Sequence, residues 1–216
     1  MHYSVQNLIN IKNKIKETYK SYHAIKIIAV SKTFPLEKIV PLIDYGHLDF
    51  GENKVQEAIE KWSKIKLTKK EISLHLIGRL QTNKVKFAVK IFDYIHSLDS
   101  LKLAKKIADE EIKLGKKNKI FIQVNLANEA QKSGIPLSQL EELFNYSLSL
   151  NLNIIGLMCI PPELEDPKKY FIKLKKLNDK LGLKELSMGM SADFMEAINN
   201  QATFIRVGSK IFGSRI

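Results

Sequence analysis

Lys32 follows the apolar run Lys26 to Val30 (KIIAV) and precedes Thr33-Phe34-Pro35, where a helix is expected to open. A lysine at the end of a buried strand points into a partly desolvated mouth, where burial and nearby cations favour the neutral amine. A neutral amine attacks aldehydes, so a Schiff base is the chemistry this position offers. The plain alternative is a solvated surface lysine, one of 32 in the chain. The other end of the sequence supplies a second group. Ser187-Met188-Gly189-Met190-Ser191-Ala192-Asp193 and Arg206-Val207-Gly208-Ser209-Lys210-Ile211-Phe212-Gly213 each place Gly and Ser where a helix begins. Free N–H groups there, with the helix dipole, favour an anion. Either loop alone is explained by helix capping through Ser191 or Ser209. Together they predict a phosphate site. An amine opposite a phosphate cradle selects pyridoxal 5′-phosphate, whereas a barrel that binds phosphosugars would form no covalent adduct.

Arg206 precedes the second cradle and would lie within reach of a ring nitrogen. A guanidinium only donates hydrogen bonds, so a pyridine nitrogen facing it stays an unprotonated acceptor. The ring is then a poorer electron sink than one paired with a carboxylate. The competing role for Arg206 is structural, as an ion-pair partner of Asp193 or Glu196. Other candidates are weaker. His75 and His96 lie twenty-one positions apart in strand-like segments with no ligand-spaced carboxylate or Cys, so core or hydrogen-bonded histidines are expected and no metal site. Cys159 either faces the mouth or is a buried, inert thiol. Asn125 and Asn128 suit turn formation as well as polar contact with a ligand.

These residues need elements to position them. Strand candidates are Lys26 to Val30, Asp49 to Gly51, Leu74 to Ile77, Tyr94 to His96, Ile120 to Val124, Ile154 to Met158, Glu185 to Ser187 and Phe204 to Val207. Helix candidates separate them, at Leu36 to Asp44, Lys54 to Lys64, Asn83 to Lys90, Leu101 to Leu114, Leu137 to Leu150, Lys168 to Lys180 and Ala192 to Asn199. A leading helix over Val5 to Tyr22 carries Val5, Leu8, Ile9, Ile11 and Ile15 on one face. Alternation of this kind implies parallel strands with right-handed crossovers. Eight of them predict a single (β/α)8 TIM barrel with an additional N-terminal helix, occupying 1–216 as one domain; the length falls near the lower end of that fold's range of about 200 to over 400 residues. A doubly wound open sheet would ordinarily carry a Gly-rich turn after the first strand, where this chain has SKTFP. In a barrel the loops after strands seven and eight are the usual phosphate station, which is where both Gly/Ser loops fall.

An apolar fraction of 44% supplies a core and excludes a mostly disordered chain. The N-terminal MHYSVQNLINIKNKIK lacks the apolar stretch of a secretory signal, and no run of about 18 apolar residues occurs, so a cytoplasmic protein without membrane association is expected. The net charge of +12 raises a nucleic-acid partner. Its distribution argues against one: arginine occurs at Arg79, Arg206 and Arg215, and the lysines are scattered among acidic residues over most helices. The single cysteine forms no internal disulfide.

The segments IIAVSKTFP (Ile27 to Pro35), DFGENKVQEA (Asp49 to Ala58), HLIGRLQTNK (His75 to Lys84), HSLDS (His96 to Ser100), QVNLANEAQKSG (Gln123 to Gly134), GLMCIPP (Gly156 to Pro162), LSMGMSADFMEAI (Leu186 to Ile198) and RVGSKIFGSR (Arg206 to Arg215) resemble the pyridoxal phosphate homeostasis proteins, the YggS/PROSC family, collinearly and in order. The resemblance implies an alanine racemase N-terminal-domain-like barrel that carries pyridoxal phosphate in vitamin B6 balance. By position, Lys32 matches the Schiff-base lysine and Arg206 the residue beside the ring nitrogen. Asn53 matches a residue by the ring; Ser191, Gly208 and Ser209 match the phosphate cradle, with Met190 contributing backbone. Arg79 departs from the Pro or His of many relatives, and the short Lys-rich segment Leu67 to Ser73 has no assigned role. The resemblance favours a monomer and admits pyridoxal-phosphate-dependent apo-enzymes as recipients. A racemase needs proton donors on both faces of the substrate carbon, and no second domain is expected here to supply one. Storage or delivery with little or no turnover and no catalytic residue is therefore expected; the alternative is an amino-acid racemase using a Tyr or Cys159.

Overall fold

Helix α1 (Tyr3–Thr18) leads into β1 (Lys26–Val30), and strands and helices alternate from there in a computed structural model that describes residues 1–19, 24–127, 129 and 133–213. The order continues α2 (Leu36–Asp44), β2 (Asp49–Glu52), α3 (Val55–Thr68), β3 (Ser73–Leu76), α4 (Val85–Ile91), β4 (Tyr94–Leu98), α5 (Leu101–Leu114) and β5 (Lys119–Asn125). A two-residue β6 (Ile135–Pro136), α6 (Leu140–Ser149), β7 (Asn153–Met158), α7 (Lys168–Lys180), β8 (Glu185–Ser187), α8 (Phe194–Asn199), β9 (Phe204–Val207) and α9 (Ser209–Phe212) complete it. The pairings are parallel, in the order β4-β3-β2-β1-β9-β8-β7-β5, and β4 also pairs with β5. That last pairing closes eight strands into the TIM barrel expected from the alternation. β6 was not foreseen; it adds two residues alongside the end of β5, Val124 facing Ile135.

Closure gives each strand two buried faces, which is why the strands are short apolar runs. The inner face is narrow and aromatic. Ile28, Tyr94, Phe121, Met158 and Phe204 form an inner core of their own, and the His96 ring stacks on Phe121 with 4.4 Å between centroids. The outer face packs on the helices through a much larger cluster that includes Ile27, Ala29, Ile205 and Val207. The alternation along β9 thus sends Ile205 and Val207 outward and leaves Phe204 and Arg206 for the interior.

Local rules set the helix ends. α5 starts at Ser100, whose hydroxyl accepts the Leu103 N–H, and stops at Gly115 with φ 59°. α1 buries Val5, Leu8, Ile11 and Ile15, with Ile9 half-buried at the margin. It ends at Thr18, four residues short of the expected boundary, because Tyr19 turns extended while its N–H still reaches the Ile15 carbonyl; Tyr22 lies outside the described residues. The same helix braces the carboxyl end of the chain. Tyr3 Oη donates to the Phe212 carbonyl at 3.1 Å and Asn7 Nδ2 to that of Ile211 at 3.1 Å, satisfying carbonyls at the end of α9. Among the described residues no helix is long and apolar enough to cross a membrane.

Candidate cofactor site

Lys32 lies in a turn that the structure holds from behind. The Ser31 N–H donates to the Gly51 carbonyl at 3.0 Å, carrying the β1–β2 pairing one residue further, and the Phe34 N–H closes the turn on the Ser31 carbonyl at 3.1 Å. Between them Thr33 has φ 67°. A β-branched residue in this region is strained by about 1–2 kcal/mol, so the turn persists only if its surroundings fix it. The Glu57 carboxylate accepts the Thr33 N–H at 2.5 Å, and Lys61 Nζ donates to the Ser31 carbonyl at 2.9 Å. Behind these lies the fully buried Glu52. Its Oε1 accepts from Ser31 Oγ at 2.8 Å, Trp62 Nε1 at 3.0 Å and Lys61 Nζ at 3.1 Å. Burial pushes the Glu52 carboxyl pKa up, opposed by those donors.

The residues on both sides of Lys32 are therefore tethered to β2 and α3, which fixes where its backbone presents the amine. Sequence reasoning passed over Glu52, Glu57, Lys61 and Trp62. The visible signal was Glu57 and Lys61 at i,i+4, beside the chain's single tryptophan on the helix after β2. Lys61→Met should leave the buried Glu52 carboxylate without its cation and cost about 3 kcal/mol of stability. A urea-unfolding midpoint unchanged by the substitution would show that Lys61 is not needed there.

The second feature forms where the loops after β8 and β9 meet. Ser191 Oγ accepts the Gly208 N–H at 3.3 Å and the Lys210 N–H at 3.4 Å, long bonds that converge on one hydroxyl at the start of α9. Gly189 needs to be glycine: φ is +90°, and a Cβ would fall 2.5 Å from the Ala197 Cβ. Gly208 rests on the end of β1, where a Cβ would stand 3.4 Å from the Val30 carbonyl oxygen. Gly208 thus lies against the strand end that leads into the Lys32 turn. Met190 is placed on the loop, but its N–H donates to Asp193 Oδ1 at 2.6 Å and its carbonyl accepts from Phe194, so its peptide groups close the turn. Asn53 follows β2, and its carbonyl oxygen would be 2.3 Å from a Cβ on Gly78, so the segment after β3 packs on the Asn53 backbone.

Arg206 lies across from Ile28 in the β9–β1 register and is 4% exposed. Its Nη1 donates to Ser187 Oγ at 2.6 Å and its Nη2 to the Cys159 carbonyl at 2.9 Å. Burial lowers its pKa. The carboxylates considered as ion-pair partners are engaged elsewhere: Asp193 with the Met190 N–H, and Glu196 Oε1 with Asn200 Nδ2 at 3.0 Å. Cys159 is buried, and desolvation pushes its thiol up to about 12. It does not face the mouth, because its side chain belongs to the outer core. Asn125 bonds the backbone of Glu129, which is the turn-forming role; Asn128 lies outside the described residues. Arg79 is exposed at the rim. His75 and His96 are buried and bonded to one another at 3.0 Å, and among the described residues no group of three or more His, Cys, Asp or Glu could hold a metal.

Lys32, Gly208, Ser209 and Asn53 thus gather at the carboxyl ends of the adjacent strands β9, β1 and β2, with Ser191 joined to Gly208 and with Arg206 beneath. An amine, a cradle of hydroxyls and backbone N–H groups, and a buried donor-only cation suit a ligand with an aldehyde, an anionic tail and an acceptor nitrogen.

Fold and site together define a parallel barrel of the alanine racemase N-terminal type: residues 6–216 match the family described as alanine racemase, N-terminal domain. The pyridoxal phosphate homeostasis protein of Aquifex aeolicus is 42% identical over 200 residues, covering 88% of this chain and 87% of the relative. That of Escherichia coli K12 is 35% identical, covering 97% and 95%. This chain belongs to the pyridoxal phosphate homeostasis protein family. PipY of Synechococcus elongatus, solved with pyridoxal phosphate bound, superposes with a TM-score of 0.87 at 32% identity, over 97% of this chain and all of PipY. Alanine racemase of Clostridium difficile shares the fold, with a TM-score of 0.73 at 20% identity, and this chain spans 57% of its length.

Proposed function

We propose that this protein binds pyridoxal 5′-phosphate in vitamin B6 homeostasis, with Lys32 holding it through a reversible Schiff base, and that it buffers or delivers the cofactor with little or no turnover. The observation that supports the reading is the close approach of Gly208 to Val30 at the end of β1, the strand that leads into the Lys32 turn. The cofactor, when bound, supplies an electrophilic aldehyde. The chain's part is to present the Lys32 amine in a turn fixed by Glu57 and Lys61, to grip the phosphate with Ser191, Ser209 and the Gly208 N–H, and to line the ring with Asn53. Arg206 would offer N–H groups and no acceptor, so a ring nitrogen beside it would stay unprotonated. Lys32 Nζ would supply the nucleophile for a condensation that releases water and that water can reverse, which suits a carrier. The protein is proposed to act in the cytoplasm as a one-domain monomer, with apo-enzymes as recipients.

A racemase remains the second reading because the alanine racemase barrel is the shared fold. Against it, Cys159 is a thiol sealed in the outer core with its pKa near 12, unsuited to exchanging protons at neutral pH. Two measurements decide. Borohydride reduction of the loaded protein followed by peptide mass mapping is expected to place the adduct on Lys32; an adduct on a different lysine defeats the assignment. Incubation with alanine in deuterated water is expected to leave the α-proton essentially unexchanged, and exchange at ordinary enzymatic rates, on the order of 1 s⁻¹ or more, would make the protein a racemase.

A further inference from the structure

A single line of hydrogen bonds runs along the barrel interior from one end to the other. At the carboxyl end Arg206 Nη1 lies 2.6 Å from Ser187 Oγ, which lies 2.8 Å from His96 Nδ1. His96 Nε2 is 3.0 Å from His75 Nδ1, and His75 Nε2 is 3.0 Å from Asp49 Oδ1. Asp49 is the first residue of β2 and lines a cleft of about 490 Å³ at the amino-terminal end of the barrel, with Lys12, His47 and Lys26. His75, His96 and Ser187 have no accessible surface. Five side chains from β2, β3, β4, β8 and β9 therefore link the two mouths without an intervening solvent site.

The donor inventory gives this line one direction. The Asp49 carboxylate only accepts, so His75 holds its proton on Nε2, and with both imidazoles neutral the bonds back toward Arg206 are fixed: Ser187 Oγ accepts from Arg206 and donates its own proton to His96 Nδ1. With Nδ1 accepting, a neutral His96 carries its proton on Nε2 and donates to His75 Nδ1. His75 in turn carries its proton on Nε2 and donates to Asp49. Every group is satisfied with both imidazoles neutral, a cation at one end and an anion at the other. The bonds polarise one another in the same sense. Neutral imidazoles agree with the electrostatics, since burial drives the His75 and His96 pKa values down, while for Asp49 the upward push of burial is outweighed by the His75 bond and nearby Lys26, which leave it below its ordinary value.

We propose that Ser187, His96, His75 and Asp49 are positioning residues that fix the Arg206 guanidinium at the cofactor-binding mouth, and that this chain transmits the charge at the amino-terminal mouth to that site. The inference rests on the cofactor reading for its consequence, and on the hydrogen-bond geometry alone for its existence.

The test has a cofactor-free arm. ¹⁵N-histidine NMR of the apo-protein is expected to show His75 and His96 as fixed neutral tautomers, both with Nε2 protonated and Nδ1 accepting. Asp49→Asn, nearly isosteric, should move the His96 nitrogen resonances as well as those of His75. Tautomer averaging or Nδ1 protonation in the wild type, or an Asp49→Asn effect confined to His75, would overturn the proposal. In the loaded arm, Asp49→Asn should shift the visible absorbance of bound pyridoxal phosphate with the Lys32 adduct intact. Ser187→Ala should weaken cofactor retention about tenfold, as expected for a lost hydrogen bond to a charged group. An unmoved band with unchanged retention would defeat the transmission. A wild type that shows the NMR pattern yet binds no pyridoxal phosphate would sink the functional reading instead, so the two failures are distinct.

Discussion

Lys32→Ala is expected to abolish the borohydride-trapped adduct and the Schiff-base absorbance, while leaving weak, phosphate-dependent binding. The residual affinity can be bounded. The proposed cradle would offer a few charge-assisted hydrogen bonds from Ser191, Ser209 and the Gly208 N–H, each contributing roughly 1.5–3 kcal/mol before ordering costs. A net of about 4–8 kcal/mol corresponds to millimolar to micromolar dissociation. Free phosphate should compete with this residue of binding, as it would not if the remaining contact were to the ring. Lys32→Arg supplies the control, because it keeps a long basic side chain in the turn and removes the nucleophilic amine. The turn itself is held through the Ser31 and Thr33 backbones, so both variants should fold with urea midpoints close to the wild type. Full retention of the trapped adduct in either variant would transfer the attachment to another lysine and dissolve the argument from the turn.

Acidification should destabilise the fold well above the carboxylate range. His47, His75 and His96 all have folded pKa values lowered by burial, to about 4 for His47. The sign follows from linkage: below the unfolded pKa of about 6.5 the unfolded chain takes up protons that the folded chain refuses, so stability falls as pH falls toward the folded values. His47 alone accounts for about 3 kcal/mol by pH 4, and the other two add in the same direction. Glu52 and Asp99 act oppositely, since their raised values mean that a burial penalty is relieved on acidification. Each is moderated by donors at its carboxylate, and together they are outnumbered. The lowered values of Asp49 and Glu57 begin to count only below about pH 4.5. Against a typical total of about 5–15 kcal/mol, the histidines should dominate between pH 6.5 and 4.5. Urea midpoints at pH 7.5 and 5 measure the loss. His47→Gln, which can keep a bond to the Asp49 carbonyl, should flatten the dependence; an unchanged slope would remove His47 from the account.

Much of the fold was legible in the sequence because it depends on local periodicity. KIIAV, ELS and FIRV give β1, β8 and β9 at their expected limits, and α2, α5 and α7 match theirs as well. Other boundaries moved: short 3-10 turns, Thr82–Lys84 before α4 and Leu137–Gln139 before α6, tighten the chain before regular helix begins, and the ends of α1, α3, α8 and of β2, β3, β4, β5 and β7 also fall off their expected limits. Ordinal position also placed the Gly/Ser loops after the seventh and eighth barrel strands, β8 and β9. That is why Lys32 and Gly208, 176 positions apart, could be assigned to one mouth.

The sequence by itself determined which residues alternate inward and outward, and hence the barrel, the strand-end lysine and the ordinal place of the two Gly/Ser loops. Only the tertiary structure decided who meets whom inside. The Glu52 clamp joins β1, β2 and α3. The imidazole chain joins Asp49 to His75, twenty-six positions on, and His96 to Ser187, ninety-one positions on. Periodicity states that a side chain faces the interior; its partner there is fixed by the register of strands that neighbour each other only once β4 has closed on β5. The histidines were legible as buried and hydrogen-bonded, whereas their alignment between Asp49 and Arg206 exists only in the closed barrel.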